Sequence, residues 1–323
     1  MHFKFIKIIV LYLVFGMSTS GFSKNGIFND FSKNSIILSV SNKEELDRKT
    51  NFLVSEDTIM KRCGSNTSQK INIIPQPVSM QTADLIYTIN VNTTIYYNQK
   101  QTILTKHASY LKATIESLSG IKIKDASSVN KSTIQLLISK IDGIGKEGYK
   151  LNVTDKGITI SANTDKGIFY GIQTLLQTMP AIRTNQKLEI PGLTITDYPR
   201  FQWRGMMLDV SRHFYSTEAV KKYIDLLATY KMNVFHWHLA DAEGWRLEIK
   251  KYPKLTSVGA WRTEMPRSIF YKNNQKLSGE PFSYGGYYTQ EQVKEVVAYA
   301  AARNVTVVPE IEMPGHSDAA LAA

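Results

Sequence analysis

Arg212, Asp241 and His316 are the side chains of this sequence best placed to do chemistry together. Each stands at or near the end of a short apolar run in which hydrophobic residues give way abruptly to Asp, Arg, His or Glu. Buried parallel strands deliver functional groups to one open end of a barrel in this manner. The pattern therefore predicts three barrel strands with the functional site at their ends.

These residue types are suited to several kinds of chemistry. The guanidinium of Arg212 is a rigid fork of donors that fits a pair of hydroxyls or a carboxylate. If Asp241 and His316 meet, the carboxylate fixes the tautomer of the imidazole and raises its basicity. Glu310 and Glu312 are two residues apart on a predicted strand, so their side chains lie on the same face.

Each of these side chains also has a purely structural interpretation. An arginine–carboxylate pair inside a barrel often does no more than satisfy buried polar groups. His236 and His238 share a strand face, but no third ligand stands at a defined spacing, so no metal site is predicted. Three tryptophans could stack on a sugar ring or belong to the core: Trp237, Trp245 and Trp261.

The segments between the three runs are predicted to alternate with them as helices. Ser216 is placed to cap the first helix, and Thr289 with Gln292 forms a capping box at the start of another. Residues 245–288 form a long excursion rich in Tyr, Gly and Pro. A loop of that length at the functional end of a barrel usually shapes a substrate site.

A different pattern precedes the barrel segments, over residues 71–198. It predicts one helix from Thr102 to a stop at Gly120 and a second beginning near Thr164. Strand-like runs rich in β-branched residues surround these helices, at 85–89, 121–124, 133–139, 149–154 and 158–162. We expect a small α+β domain, an antiparallel sheet with helices on one side, that contributes no catalytic group.

Length and charge narrow the class of protein. The chain has 323 residues, 43% of them hydrophobic, which is enough for two domains with large cores. The formal net charge is +11, but the basic residues are scattered and form no arginine-rich tract. Nucleic acid is therefore excluded as an expected partner.

The N-terminus predicts an exported protein. Residues 1–23 combine lysines, a short apolar run and small residues, the pattern of a secretory signal peptide. No integral membrane span is expected once it is removed. Residues 24–70 are polar and predicted to be a linker. The only cysteine is Cys63, and export without disulfides favours a periplasmic or secreted bacterial protein.

Four motifs resemble the β-N-acetylhexosaminidases of glycoside hydrolase family twenty. They are RGMMLDVSRHF at 204–214, NVFHWHL at 233–239, GWRLEIKKYP at 244–253 and PEIEMPGH at 309–316. The resemblance runs from about residue 71 to the end of the sequence and includes the α+β domain. It implies an α/β fold in which 199–323 form the start of a (β/α)8 TIM barrel, with about three strands present.

The resemblance also implies a function. Such enzymes are exo-acting, retaining hydrolases that release terminal β-linked N-acetylglucosamine or N-acetylgalactosamine, and the 2-acetamido oxygen of the substrate is the nucleophile. The expected partner is an N-acetylhexosamine-containing oligosaccharide, and no cofactor is expected. Carried over by motif, Arg212 binds ring hydroxyls, Asp241 pairs with His316 beside the general acid, and Glu312 has a supporting role.

The sequence departs from the family pattern in two places. The family often has Asp-Asp-Gln-Gly-Trp where this chain has Asp-Ala-Glu-Gly-Trp at 241–245. The family's adjacent Asp-Glu pair, which supplies the general acid and the acetamido-holding carboxylate, is absent because no Asp-Glu dipeptide occurs here. We therefore expect an N-terminal portion, truncated before that pair and inactive by itself.

Two other functions remain open at this stage. One is another barrel glycosidase in which Glu310 or Glu312 is itself the acid. The other is a non-catalytic or degenerate glycan-binding homologue.

Overall fold

The computed structural model describes residues 71–180, 187–262 and 284–323. All of them belong to one compact unit, Gln69–Ala323. The predicted signal peptide, the polar linker and residues 263–283 of the 245–288 excursion lie outside the described residues. Within the described ranges, no helix has both the length and the apolar composition needed to cross a bilayer.

The N-terminal part of this unit is a seven-stranded sheet with two long helices. The helices are α1 (Thr102–Ser119) and α2 (Asp165–Gln177). The strands are β1 (Ser79–Ile89), β2 (Thr94–Tyr97), β3 (Lys124–Asp125), β4 (Thr133–Ile138), β5 (Tyr149–Thr154), β6 (Gly157–Ala162) and β7 (Leu188–Asp197). Their order in the sheet is β1-β7-β5-β6-β4-β2-β3.

The sheet is mixed, which corrects the antiparallel prediction. Strand β2 pairs in parallel with β3 and β4, and β4 pairs in parallel with β6. Antiparallel pairing holds only from β6 through β5 and β7 to β1. The physical reason is that α1 connects β2 to β3 as a crossover, and a crossover brings neighbouring strands into parallel alignment.

Helix α1 begins and ends as predicted. Gly120 adopts φ +74° and its N–H donates to the carbonyl of Glu116 at 2.7 Å, so the left-handed residue satisfies a terminal carbonyl. Helix α2 packs closely on the sheet: a Cβ added at Gly171 would lie 2.5 Å from Cγ2 of Ile160. A larger side chain there would push this helix off the core.

The C-terminal part contains three parallel strands and the helices between them. They are β8 (Gly205–Asp209), α3 (Thr217–Thr229), β9 (Val234–Asp241), α5 (Gln290–Ala301) and β13 (Thr306–Ile311). Between β9 and α5 lie four short elements: β10 (Gly244–Trp245), α4 (Lys254–Ser257), β11 (Trp261–Arg262) and β12 (Tyr284–Gly285). A last short helix, α6, spans Asp318–Leu321.

The predicted helix caps are present. The Ser216 hydroxyl accepts the N–H of Ala219 at the start of α3. Thr289 and Gln292 form a reciprocal capping box at the start of α5. These caps fix where each helix begins, and so the direction in which it returns the chain to the next strand.

The two faces of β9 differ in what covers them. Phe235, Trp237 and Leu239 are buried in a core shared with α3 and α5. The opposite face carries His236 and His238, and on β8 the neighbouring Met207 is 50% exposed. The described strands thus form an open arc with a helix-covered outside and a polar inside, which confirms the start of an α/β barrel.

Candidate active site

The strand ends converge on one carboxylate oxygen. Oδ2 of Asp241 lies 2.9 Å from Nη2 of Arg212, 2.9 Å from Nε2 of His238 and 3.4 Å from Nδ1 of His316. The Asp241 side chain is only 2% exposed. The structure therefore brings together the three residues singled out from the sequence, and adds His238.

The topology explains this convergence. Asp241 is the last residue of β9, Arg212 lies in the turn that follows β8, and His316 lies beyond the end of β13. Both β8 and β13 pair in parallel with β9, so the carboxyl ends of all three strands meet at one rim. His316 takes φ +51° there, which places it in the left-handed region.

Arg212 is held by three carboxylates. Its Nη1 contacts Asp209 at 2.9 Å and its Nε contacts Glu243 at 3.2 Å, in addition to the pair with Asp241. Burial lowers the pKa of Arg212, but these carboxylates outweigh it and raise the pKa above its ordinary value. Glu243, one of the departures from the family motif, is thus part of the network.

His238 lies between two acidic side chains. Burial lowers its pKa, but the adjacent carboxylates of Glu310 and Asp241 raise it above the ordinary value. Sequence reasoning paired this residue only with His236 and missed its contact with Asp241. The available signal was its position, three residues before Asp241 and flanked on the strand by apolar Trp237 and Leu239.

Glu310 and Glu312 interact with each other, as their shared strand face predicts. Burial raises the pKa of Glu310, but the adjacent side chains of His238 and Glu312 lower it overall. The hydrogen bond to Glu310 raises the pKa of Glu312. As the pH falls, Glu312 therefore takes up a proton before Glu310 does.

A buried arginine holds the Arg212 turn in place. Arg246 is fully buried and donates to the carbonyls of Val210 at 3.0 Å and Ser211 at 2.6 Å. Burial lowers its pKa to about 10, so it stays charged at neutral pH. A Cβ at Gly244 would come within 2.3 Å of this guanidinium. These contacts explain why Gly and Arg stand in the Gly-Trp-Arg motif. The sequence alone did not indicate this structural role.

Two of the three tryptophans considered as sugar platforms belong to the core instead. Trp237 is fully buried with its ring 4.8 Å from that of Tyr288. Trp245 is 6% exposed, and its indole donates to the carbonyl of Leu247. Trp261 is 37% exposed and borders a cavity of about 410 Å³ also lined by Phe214. That cavity contains none of the residues around Asp241.

Fold and site together define an α/β-barrel protein with a network of charged side chains at the carboxyl ends of its first strands. The chain belongs to glycosyl hydrolase family 20. The catalytic domain of that family matches residues 201–323, and its domain 2 matches residues 70–198.

Named relatives agree with this assignment. A β-hexosaminidase of Porphyromonas gingivalis is 42% identical over 260 residues, which cover 78% of this chain and 31% of the relative. The β-N-acetylhexosaminidase structure of Streptomyces coelicolor is similar with TM-score 0.67 and 37% identity, covering 77% of this chain and 48% of that one. An exo-β-N-acetylglucosaminidase of Vibrio harveyi, solved with N-acetylglucosamine, gives 0.66 and 34%, with coverages of 77% and 37%. The chain thus spans less than half the length of these relatives.

Proposed function

We propose that this chain is part of an exo-acting β-N-acetylhexosaminidase that releases terminal N-acetylglucosamine or N-acetylgalactosamine from β-linked glycans. The observation that carries the proposal is the convergence of Arg212, His238 and His316 on the buried Asp241 carboxylate, within a family 20 catalytic domain. The names of the relatives support the same substrate class.

The proposed reaction is substrate-assisted. The 2-acetamido oxygen bonds to the anomeric carbon as the glycosidic C–O bond breaks, and the leaving oxygen takes a proton from a general acid. Water then attacks the anomeric carbon, the bond from that carbon to the acetamido oxygen breaks, and the proton of the water returns to the conjugate base of the general acid, so the anomeric configuration is retained. Asp241 and His316 would tune the proton affinity of that acid, while Glu312 would support the pair.

Arg212 is proposed to bind hydroxyls of the terminal sugar. Its side chain and that of Asp209 are 30% and 29% exposed, whereas Asp241 and Glu243 are 2% and 7% exposed. Asp209 is therefore the most exposed of the three carboxylates around Arg212, and the ligand is proposed to bind at that contact, where Nη1 also lies 3.2 Å from Nε2 of His238. If sugar hydroxyls replace Asp209 as partners of Arg212, the contacts of Arg212 with the buried Asp241 and Glu243 remain intact.

Substitution of Arg212 tests this role in a form of the protein that hydrolyses substrate. Arg212→Ala should lower kcat/KM by roughly 30-fold or more, because truncating one partner of a hydrogen-bonded charge pair costs about 2 kcal/mol or more. Lys222→Ala, on α3, is the matched loss of a positive charge away from the site. Equal kcat/KM for the two variants would contradict the assignment.

Hydrolysis is proposed to require a form of the protein that carries the Asp-Glu pair. No such dipeptide occurs in these 323 residues. The test compares this chain with the longest reading frame from the same locus on an aryl β-N-acetylglucosaminide. We expect turnover only from a form with the pair. Turnover by the 323 residues alone would refute the need for it, and a longer frame that binds the sugar without turnover would favour a glycan-binding homologue.

A second candidate is favoured by one observation, the raised pKa of Glu312. In that alternative Glu312 is itself the general acid. Glu312→Gln would then abolish the alkaline limb of the pH–rate profile, where the general acid loses its proton, whereas a supporting role predicts a lower rate with that limb retained.

The protein is also proposed to be exported from the cytoplasm. The composition of residues 1–23, which is typical of a signal peptide, supports this part of the proposal. Expression of the gene in a bacterial host followed by cell fractionation tests it. Protein found in the periplasm or medium, with its N-terminus cleaved near residue 23, is expected; full-length protein confined to the cytoplasm would contradict it.

A further inference from the structure

Three donor groups meet on the inner face of the β8–β9–β13 sheet. His236 and His238 are two residues apart on β9, and Glu310 stands opposite His238 on the parallel strand β13. Nε2 of His236 and Nδ1 of His238 each lie 2.5 Å from Oε2 of Glu310. All three ligand atoms fall within 4.8 Å of one another. Strand pairing thus supplies the third group that the sequence spacing alone did not.

The ring of His238 cannot satisfy both of its neighbours with one proton. Its Nε2 lies 2.9 Å from Asp241, and its Nδ1 lies 2.5 Å from Glu310. A neutral imidazole has a single N–H, so in either tautomer one nitrogen directs a lone pair at a carboxylate. The conflict is resolved by a second proton or by a cation at the other nitrogen.

The Nδ1 side is the one that fits a cation. His238 is 4% exposed, and its Nδ1 is buried with no hydrogen bond of acceptable geometry despite the nearby carboxylate. The Nε2 side already faces Asp241, and a carboxylate on the far nitrogen is the arrangement that orients metal-ligating histidines. In the 323-residue chain the side chains of His236 and Glu310 are 40% and 27% exposed, so an ion can reach them from solvent in that chain.

We propose that His236, His238 and Glu310 bind a divalent transition-metal ion such as Zn²⁺. Two imidazoles and one carboxylate form a donor set that zinc uses in proteins, with water in the remaining position. Zinc–ligand bonds of about 2.0 Å in a tetrahedron separate ligand atoms by roughly 3.3 Å. Binding therefore requires Glu310, whose side chain is 27% exposed, to move back by a little under one ångström, and the two imidazole nitrogens, which lie within 4.8 Å of each other, to adopt the same spacing.

The charges around the site are compatible with a bound cation. Glu312 and Asp241 add negative charge, and the nearby Arg212 is neutralised by its own three carboxylates. Because the ion replaces a proton on His238, its affinity should rise as the pH is raised. This inference concerns binding alone and does not depend on the proposed hydrolase activity.

The experiment titrates Zn²⁺ into the untagged, chelator-treated 323-residue chain by calorimetry, and Co²⁺ by visible absorption. We expect one equivalent of ion, and a Co²⁺ spectrum of nitrogen and oxygen ligation. His236→Ala and Glu310→Gln should each lower the affinity at least about tenfold, and Asp241→Asn by roughly 10- to 100-fold. His213→Ala, a matched histidine loss outside the cluster, should leave the affinity unchanged.

Three results would overturn the proposal. They are the absence of saturable binding, equal affinities for His236→Ala and His213→Ala, and loss of the ion on His316→Ala with retention on His236→Ala. Circular dichroism of each variant shows whether it is folded. The side chain of His236 is 40% exposed. Of the substitutions in the cluster, His236→Ala should therefore disturb the core least.

Discussion

At the scale of single residues, Asp241 is the most connected side chain of the site. It is buried, yet three cationic or imidazole groups surround one of its oxygens. A buried carboxylate persists only with such partners, because desolvation of an unpaired charge is very costly. The cluster is therefore cooperative: removal of one partner changes the protonation of the others.

This cooperativity predicts a pH dependence of stability. The pKa of His238 is raised in the folded chain by Glu310 and Asp241, against the effect of burial. Its contribution to stability is complete below about pH 6.5, the unfolded value, and is lost as the pH rises through the folded-state pKa. The free energy of unfolding, measured by urea denaturation, should therefore fall across that window.

Two substitutions isolate this effect. His238→Gln should flatten the fall in stability above about pH 6.5, whereas His213→Gln should preserve it. An unchanged slope in His238→Gln would show that another group titrates there.

At the scale of elements, β9 has two faces with different tasks. Its outward residues pack against helices and its inward residues carry the polar groups. Alternation along a strand is what allows one short segment to do both. Substitutions of core residues on the outer face should therefore lower the free energy of unfolding more than they change the chemistry of the inner face.

Trp237 tests this division. Trp237→Ala should cost about 3 kcal/mol or more, the usual loss for a large buried aromatic side chain. Trp261→Ala should cost less than about 1 kcal/mol, since that side chain is 37% exposed. Thermal and urea unfolding of both variants checks the contrast, and similar losses would contradict it.

At the scale of the whole molecule, a buried lysine links the two parts of the described unit. Nζ of Lys231, which follows α3, lies 3.0 Å from both Asp197 and the hydroxyl of Tyr149 in the N-terminal sheet. The side chains of Lys231 and Asp197 are 8% and 13% exposed. Burial lowers the pKa of Lys231, while Asp197 opposes that change.

Removal of Lys231 should therefore destabilise the whole unit. Lys231→Met leaves Asp197 without its cation and should cost about 3 kcal/mol or more. The double variant with Asp197→Asn should lose less than the sum of the two single losses. A double-mutant cycle measured by urea unfolding decides this, and additive losses would rule out an energetic link.

The sequence predicted the elements with strong local signals and missed those without them. Helices α1 and α5 were predicted because Gly120, Thr289 and Gln292 mark their ends. Strand β2 was missed because it is only four residues long. Strand β7 was missed because Pro191 and Gly192 interrupt its pattern.

The sequence predicted the site residues that stand at strand ends. It missed the contacts that depend on pairing between strands distant in the sequence. Arg212, Asp241 and His316 were found because each ends an apolar run. The contacts of Glu310 with His236 and His238 depend on the register of β13 against β9, which no local pattern reveals. The packing of Arg246 depends likewise on carbonyls distant in the sequence.

Convergence of the strand ends on Asp241 is the claim on which this account depends, and NMR of the imidazole nitrogens tests it most directly. Spectra of the chain and of Asp241→Asn are compared at the same pH. We predict that the His238 Nε2 and His316 Nδ1 resonances shift, while those of His107 and His213 stay in place. If the His238 and His316 resonances both remain unchanged, these groups do not meet at Asp241 and the active site assigned here is wrong.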